Sequence, residues 1–132
     1  MKQLTVMVEN KPGILAGIAT LLGNAGINIE SITAETFGEG AVIRIITRDA
    51  ASSLDVLKQN GHKAFVNDIL VVAVEDKPGQ LGRVSMRLAD GGVNIENIYL
   101  LSKKDDRQIF AMKVDSERAA KQVLGKAVLE KY

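Results

Sequence analysis

The chain repeats itself after half its length. The segment Val6–Gly13 returns as Val72–Gly79, and Gly26–Ile32 returns as Gly92–Ile98, in both cases 66 residues later in a chain of 132. Over 29 consecutive positions the two copies share 14 identical residues without a gap. A repeat of this size corresponds to one structural unit, and no flexible linker separates the copies. The predicted domains are therefore residues 1–67 and 68–132.

Each copy has the periodicity of a βαββαβ unit. Apolar residues alternate in the strands, recur every 3.6 residues in the first helix, and glycines follow the helices. In the first copy we expect strands at 4–8, 27–36, 41–47 and 63–66 and helices at 14–25 and 50–60. In the second copy we expect strands at 70–74, 93–101 and 109–114, a helix over 81–89 and another that Ser116 caps and that runs through Leu124. Residues 125–129 are either a short last strand, which we favour, or an extension of the last helix.

This order of elements is typical of an α+β fold made of two ferredoxin-like units in tandem. Each unit has an antiparallel sheet with both helices on one face, so the other face needs a cover. A unit of this size also buries too little surface to be very stable alone. We therefore expect the units to pair, first within the chain and then between chains as a homodimer.

The composition excludes several classes of function. The chain has no cysteine and one histidine, His62, so we expect no metal site, no nucleophile–base pair, no catalytic residue and no cofactor. Its formal net charge is +1 and aromatic residues are few, which gives no reason to expect nucleic-acid binding. No apolar run is long enough for a membrane helix and the N-terminus has no signal-peptide pattern, so we expect a cytoplasmic protein with no membrane partner.

Polar residues flank the first helix of each copy. Asn10 and Asp76 precede the Lys-Pro-Gly turn, and Asn28 and Asn94 stand in the Gly-x-Asn-Ile segment before the second strand. A helix N-terminus favours a carboxylate, and amide side chains can bind the polar groups of an amino acid. Tight-turn chemistry alone also explains the prolines and glycines, but it explains the two later asparagines less well.

The motif Val-Glu-Asn-Lys-Pro-Gly-x-Leu, followed by a helix and Gly-Ile-Asn-Ile-Glu-Ser-Ile, resembles the ACT domain. Because both halves carry it, the whole chain resembles a tandem ACT-domain protein. The first copy is also similar to the ACT domain of the small regulatory subunit of acetolactate synthase, although that subunit is expected to have a different second half. The resemblance implies that the sheets join edge to edge and that a small amino acid binds in the groove between the domains.

The resemblance also implies which residues contact the ligand. In the serine-binding ACT domain of D-3-phosphoglycerate dehydrogenase, a histidine and two asparagines contact the ligand. Asn10 and Asn28 match the asparagines, whereas Val8 and Val74 stand at the histidine position and favour an apolar or branched-chain ligand. Asp76 would repel the carboxylate that Asn10 accepts, so one copy could hold a working site and the other a degraded one. The full predicted ligand-binding set is Asn10, Pro12, Gly13, Ile14, Leu15, Asn28, Ile29, Asp76, Pro78, Gly79, Gln80, Leu81, Asn94 and Ile95.

We therefore predict a free-standing, non-catalytic regulatory module that binds a small amino acid and signals through altered packing of domains or subunits. Two alternatives remain. The chain is a regulatory subunit that acts in trans on an amino-acid biosynthetic enzyme such as acetolactate synthase, or it is a dimerisation module without a ligand.

Overall fold

The structure, a computed structural model, describes all residues from 1 to 132. It divides into an N-terminal unit, Lys2–Asn67, and a C-terminal unit, Asp68–Tyr132 together with Met1. The strands are β1 Lys2–Glu9, β2 Ser31–Phe37, β3 Gly40–Ile46, β4 Lys63–Asp68, β5 Leu70–Glu75, β6 Ile95–Lys104 and β7 Arg107–Val114. The helices are α1 Ile14–Asn24, α2 Ala50–Gln59, α3 Gln80–Asp90 and α4 Glu117–Leu124, followed by a 3₁₀ turn, Gly125–Ala127. No helix has both the length and the apolar character needed to cross a membrane.

The N-terminal unit is a four-stranded sheet in the order β2-β3-β1-β4. The central strand β3 pairs antiparallel with β1, where Leu4 faces Ile45, and with β2, where Ala34 faces Ile43. Helix α1 buries Ile18 and Leu22 against this sheet. The core of the unit is Leu4, Val6, Ile18, Leu22, Ile43, Ile45, Leu57 and Ala64. The βαββαβ order and the ferredoxin-like fold predicted from the sequence are confirmed.

The C-terminal unit repeats this arrangement with a three-stranded sheet in the order β5-β7-β6. Its core is Leu70, Val72, Val74, Val84, Leu88, Val93, Phe110, Met112, Val114, Ala120, Leu124 and Val128. The predicted cap of α4 is confirmed, because the Ser116 hydroxyl accepts a hydrogen bond from the Ala119 amide at 3.2 Å. The predicted joining of the two sheets edge to edge stays a prediction.

The expected last strand over 125–129 is wrong, and so is the alternative of a longer α-helix. After α4 the chain tightens into the 3₁₀ turn, where Gly125 has a φ of 54°. Only Val128 then reaches the sheet, as a single antiparallel bridge to Val72, and the Leu129 amide donates to the Val71 carbonyl at 2.8 Å. Residues 125–127, which would have formed the first part of the strand, lie in this turn instead.

The second strands also begin later than their apolar patterns predict. Gly26 has a φ of 76°, and the Ile27 amide still donates to the helical carbonyl of Leu22. The first link to the sheet is made by the Glu30 amide, which donates to the Ile46 carbonyl at 2.9 Å. The chain therefore needs several residues to leave α1 before β2 can start at Ser31.

Strand β6 carries two irregularities that have no counterpart in the N-terminal unit. Its pairing with β7 shifts register between Ile95 and Asn97 and again between Leu100 and Ser102. The bulge between Leu100 and Ser102 adds one residue to β6 relative to β2, and the two capping residues Asp49 and Ser116 are accordingly one residue further apart than the repeat of 66. From β7 onward, equivalent residues of the two units therefore differ by 67 in number.

Candidate functional site

The turn between β1 and α1 is held to the neighbouring hairpin by Asn10. The Asn10 amide donates to the Glu39 carbonyl at 2.8 Å, and its side-chain Nδ2 donates to the Gly38 carbonyl at 3.2 Å. Pro12 follows on the exposed turn. Gly13 is the N-cap residue of α1 with a φ of 87°, a conformation that residues with a Cβ rarely adopt. Asn10 therefore has a structural task, and its side-chain oxygen and the second hydrogen of its side-chain amide are left for a ligand.

Helix α1 begins without compensation for its positive end. No side chain caps it, and no acidic residue lies in its first turn. The Ile14 amide donates to the Lys11 carbonyl at 3.4 Å, and the Gly17 amide donates to the Gly13 carbonyl at 2.9 Å. The amides of Leu15 and Ala16 between them have no partner, as is usual in the first turn of a helix. Such a terminus attracts a carboxylate.

A groove of about 380 Å³ opens beside this helix end, between α1 and the edge strand β2. Its apolar lining consists of Val8, Ile14, Leu15, Ala34, Ala41 and Ile43, and its polar lining of Glu9, Asn10, Lys11, Glu35 and Thr36. All three rim charges are already paired, since Lys11 lies 3.4 Å from Glu9 and Arg44, outside the lining, lies 2.9 Å from Glu35. The volume is within the range of small-molecule sites.

The groove contains three of the residues that the sequence predicted for the ligand, namely Asn10, Ile14 and Leu15. Strands β2 and β3 also line the groove, which the sequence did not predict, and above all Ala34 leaves space on the floor. Ala34 could have been found by comparing the two copies position by position, because its counterpart in the second copy is Leu100.

Asn28 lies at the opposite end of the same unit. Asn10 is bonded to the turn that precedes β3, whereas Asn28 stands just before Glu30, whose amide pairs with Ile46 at the far end of β3. At about 3.3 Å per residue, the seven residues of β3 separate the two asparagines by about 20 Å. One unit therefore does not bring Asn10 and Asn28 to the same small ligand. The predicted groove between the two copies stays a prediction.

Two of the predicted ligand residues have packing tasks. Ile29 packs against the core of the N-terminal unit, and Ile95 packs against the core of the C-terminal unit. Their apolar side chains anchor the chain as it enters the second strand.

In the C-terminal unit, the equivalents of the site residues are engaged with their own neighbours. Asp76 Oδ2 lies 3.2 Å from Lys103 Nζ, and the Asp76 amide donates to Asp106. The backbone amide of Asn94 donates to the Asp115 carboxylate at 3.0 Å, and the backbone carbonyl of Asn94 accepts from the Asp115 amide at 3.1 Å, so both bonds use the Asn94 backbone and not its side chain. The turn itself repeats the first copy: Pro78 is exposed, Gly79 caps α3 with a φ of 85°, and Gln80 and Leu81 begin the helix.

A larger side chain occupies the floor position of this second unit. Leu100 faces Phe110 across β6 and β7, where the N-terminal unit has Ala34 facing Ile43. Cross-strand partners share one face of a sheet, so Leu100, 45% exposed, projects where the first groove is open. Leu100 and the Asp76–Lys103 ion pair are differences that favour a degraded second site, and the prediction of one working and one degraded site stays a prediction.

No group of three or more His, Cys, Asp or Glu side chains is arranged to hold a metal ion. A clear shift in a titratable group lies at the start of α2, where hydrogen bonds from Ser52 hold the pKa of Asp49 below its ordinary value.

Comparison with known proteins identifies the family. Residues 1–131 match the family model described as an ACT domain pair. The comparison with curated protein sequences gave no match.

Solved structures share the fold over nearly the whole chain. The crystal structure of protein BT0572 from Bacteroides thetaiotaomicron is similar with a TM-score of 0.86 and 24% identity, covering 97% of this chain and 90% of that one. The ligand-free regulatory subunit of aspartate kinase from Thermus thermophilus is similar with a TM-score of 0.71 and 21% identity, covering 96% and 91%. The corresponding regulatory subunit from Thermus flavus gives a TM-score of 0.68 and 21% identity, with the same coverage.

Proposed function

The chain belongs to the ACT domain pair family, and from this premise we propose that it is a non-catalytic regulatory module that binds one small apolar amino acid in the groove of its N-terminal unit. The observation that carries the proposal is the apolar groove of about 380 Å³ next to the uncompensated N-terminus of α1. An amino acid has a carboxylate that can bind at the N-terminus of α1 and a side chain that can lie in the apolar groove.

The proposed pose follows from the chemistry of the lining. The ligand carboxylate meets the free amides at the start of α1, where the helix dipole favours negative charge. Its side chain lies on the floor of Val8, Ala34 and Ile43. Its ammonium group faces the rim carboxylates Glu9 and Glu35, which it shares with their ion-pair partners Lys11 and Arg44. Because the floor offers only apolar groups, valine, leucine and isoleucine fit better than polar amino acids of similar size.

The proposed action is regulatory. A ligand changes the activity of a partner only as far as it binds two conformations of this chain with different affinity. The Thermus structures of the same fold are described as regulatory subunits of aspartate kinase, which favours an amino-acid biosynthetic enzyme as the partner in trans. The similarity to the acetolactate synthase subunit and the homodimer stay predictions.

A thermal-shift screen against the twenty amino acids tests the binding. We expect a selective rise of the melting temperature with the branched-chain amino acids, since a ligand at a hundred times its Kd adds about 2.7 kcal/mol of stability. Ala34→Leu, which places in the groove the residue found in the second copy, should abolish the shift. Ala51→Leu makes the same change on the exposed surface of α2 and should retain it.

Asn10→Ala is a less informative variant, because it also removes the bond to Gly38 that fixes the hairpin. A flat screen with folded wild-type protein would contradict the proposal and favour a ligand-free dimerisation module. A second test adds the purified catalytic subunits of aspartate kinase and acetolactate synthase. A ligand-dependent change in the activity of either would support the action in trans.

A further inference from the structure

The C-terminal sheet has a second face, which α3 and α4 do not cover. Successive side chains of a strand point to opposite faces, so Phe110 of β7 packs in the core with the helices, whereas Ile109 belongs to a separate apolar cluster on the other side. Residues 129–132 cross this second face. Leu129 packs against the cluster of Ile109, and the Tyr132 hydroxyl forms a hydrogen bond with the Ser102 hydroxyl of β6.

A cavity of about 390 Å³ lies between residues 129–132 and the hairpin of β6 and β7. Ile109 and Leu129 are the apolar side chains of its lining, and Tyr132 is the aromatic one. The hydrogen bond to Ser102 fixes the ring of Tyr132 at its hydroxyl end, while 59% of the residue stays exposed. The cavity thus offers an apolar floor beside an open aromatic surface.

The charged lining of this cavity has an excess of cations. The hairpin contributes Lys104 and Arg107, and Lys131 comes from the opposite wall. None of the three forms an ion pair with a carboxylate. Asp105 is the one acidic residue of the lining, so three positive side chains and one negative side chain leave two positive charges uncompensated.

The hairpin holds these cations together at a cost in stability. Lys104 directly faces Arg107 in the register of β6 and β7, and like charges at such positions destabilise a sheet. The two aspartates of the turn between them have φ angles of 52° and 59°, a region that residues with a Cβ seldom adopt. In the N-terminal unit the equivalent hairpin pairs Phe37 with Gly40 and has no cation there. Such departures from what the fold favours are typical of functional sites.

We propose that this cavity binds a nucleoside monophosphate, a ligand of a different class from the amino acid of the groove. A phosphate monoester carries about −1.5 to −2 charges at pH 7, which matches the uncompensated positive charge of the lining. The guanidinium of Arg107 binds two phosphate oxygens, and Lys104 and Lys131 bind the phosphate as point charges. The base stacks on the ring of Tyr132, because every base has a flat face that an aromatic side chain accepts.

Isothermal titration calorimetry with the 5′-monophosphates of adenosine, guanosine, cytidine and uridine tests the proposal on the full chain. We expect at least one of them to bind. The matching nucleoside and inorganic phosphate, which each lack one part of the ligand, should bind at least about tenfold more weakly. A higher salt concentration should weaken binding, because the cations are exposed and salt screens them.

Variants of the lining separate the two parts of the site. Lys104→Gln combined with Arg107→Gln should weaken binding at least about tenfold, and its melting temperature should not fall, because the change removes a repulsion. Tyr132→Ala should weaken binding at least about fivefold, whereas Tyr132→Phe keeps the ring and should retain most of the affinity. Lys121→Gln, which removes one exposed charge of α4 outside the cavity, is the control and should leave the affinity unchanged.

The same titrations separate this site from the groove. Ala34→Leu closes the groove of the other unit and should leave nucleotide binding intact, so the two proposals fail independently. Absence of binding by all four nucleotides, or equal affinity in wild type and the Lys104→Gln, Arg107→Gln double variant, would overturn the proposal. Inorganic phosphate that binds as tightly as the nucleotides would overturn it as well, because the base would then have no part in recognition.

Discussion

At the residue scale, Asp49 joins the end of the first sheet to helix α2. Its hydrogen bonds from Ser52 keep the pKa of the carboxyl below its ordinary value, so the folded state favours the charged form. Because the pKa of Asp49 is lower in the folded than in the unfolded state, its charge stabilises the fold at pH values above the ordinary pKa of a carboxyl. This contribution is lost as the pH falls through the ordinary pKa and then through the lower pKa of the folded state.

We therefore expect Asp49→Asn to destabilise the protein at pH 7 and to differ less and less from wild type as the pH falls below about 4. Urea denaturation between pH 3 and pH 7 measures this. Asp55→Asn, in the same helix but without a side-chain hydrogen bond, is the control. A stability difference that stays constant down to pH 3 would contradict the capping role.

The hydroxyl groups of Thr47 and Ser53 form a buried hydrogen bond near the start of α2. Thr47 Oγ1 and Ser53 Oγ are 2.7 Å apart, and the Ser53 hydroxyl also lies 2.8 Å from the Asp49 carbonyl. Ser53→Ala leaves the Thr47 hydroxyl buried without this partner and should cost about 1–3 kcal/mol. Adding Thr47→Val should cost less than the sum of the single changes, because it removes the orphaned group. Simple additivity in the double-mutant cycle would show that the pair is not coupled.

At the element scale, two glycines of α1 and its N-cap should respond in opposite directions when they are replaced by alanine. Neither Gly13 nor Gly17 has an atom within 4 Å of an added Cβ, but Gly13 has a φ of 87°. Gly13→Ala should therefore cost about 1–2 kcal/mol for its left-handed backbone. Gly17→Ala, inside the helix, should stabilise by about 0.5–1 kcal/mol. Denaturant titration of the two variants gives both values, and the same sign for both would refute the account of this helix start.

The sequence predicted the elements well because the repeat shows each pattern twice. Alternation located β1 and β5, and the helical stripe that ends at Gly26 located α1, since these signals depend on local periodicity. The bulges of β6 and the single bridge of Val128 were missed because they depend on pairing with a distant strand. In the sequence, Asn10 and Asn28 both stand next to the first helix and both look like contacts of one ligand. Their separation is visible only in the structure, because they lie near opposite ends of β3.

At the scale of the whole molecule, the two copies share a fold and differ in the residues at the position of the proposed groove. The second copy fills the floor with Leu100 and ties Asp76 to Lys103, whereas the first leaves Ala34 in an open groove. The sequence analysis found the charge difference at Asp76. It missed the change of volume, because the shape of a groove depends on which strand positions face the helices. The difference predicts one apolar ligand for each chain.

The most direct test of the central claim is isothermal titration calorimetry of leucine, isoleucine and valine into the wild-type chain and Ala34→Leu. We expect saturable binding of at least one of them with a stoichiometry near one ligand per chain, and no binding to the variant. Binding that Ala34→Leu leaves unchanged, or no binding to the folded wild type, would contradict it.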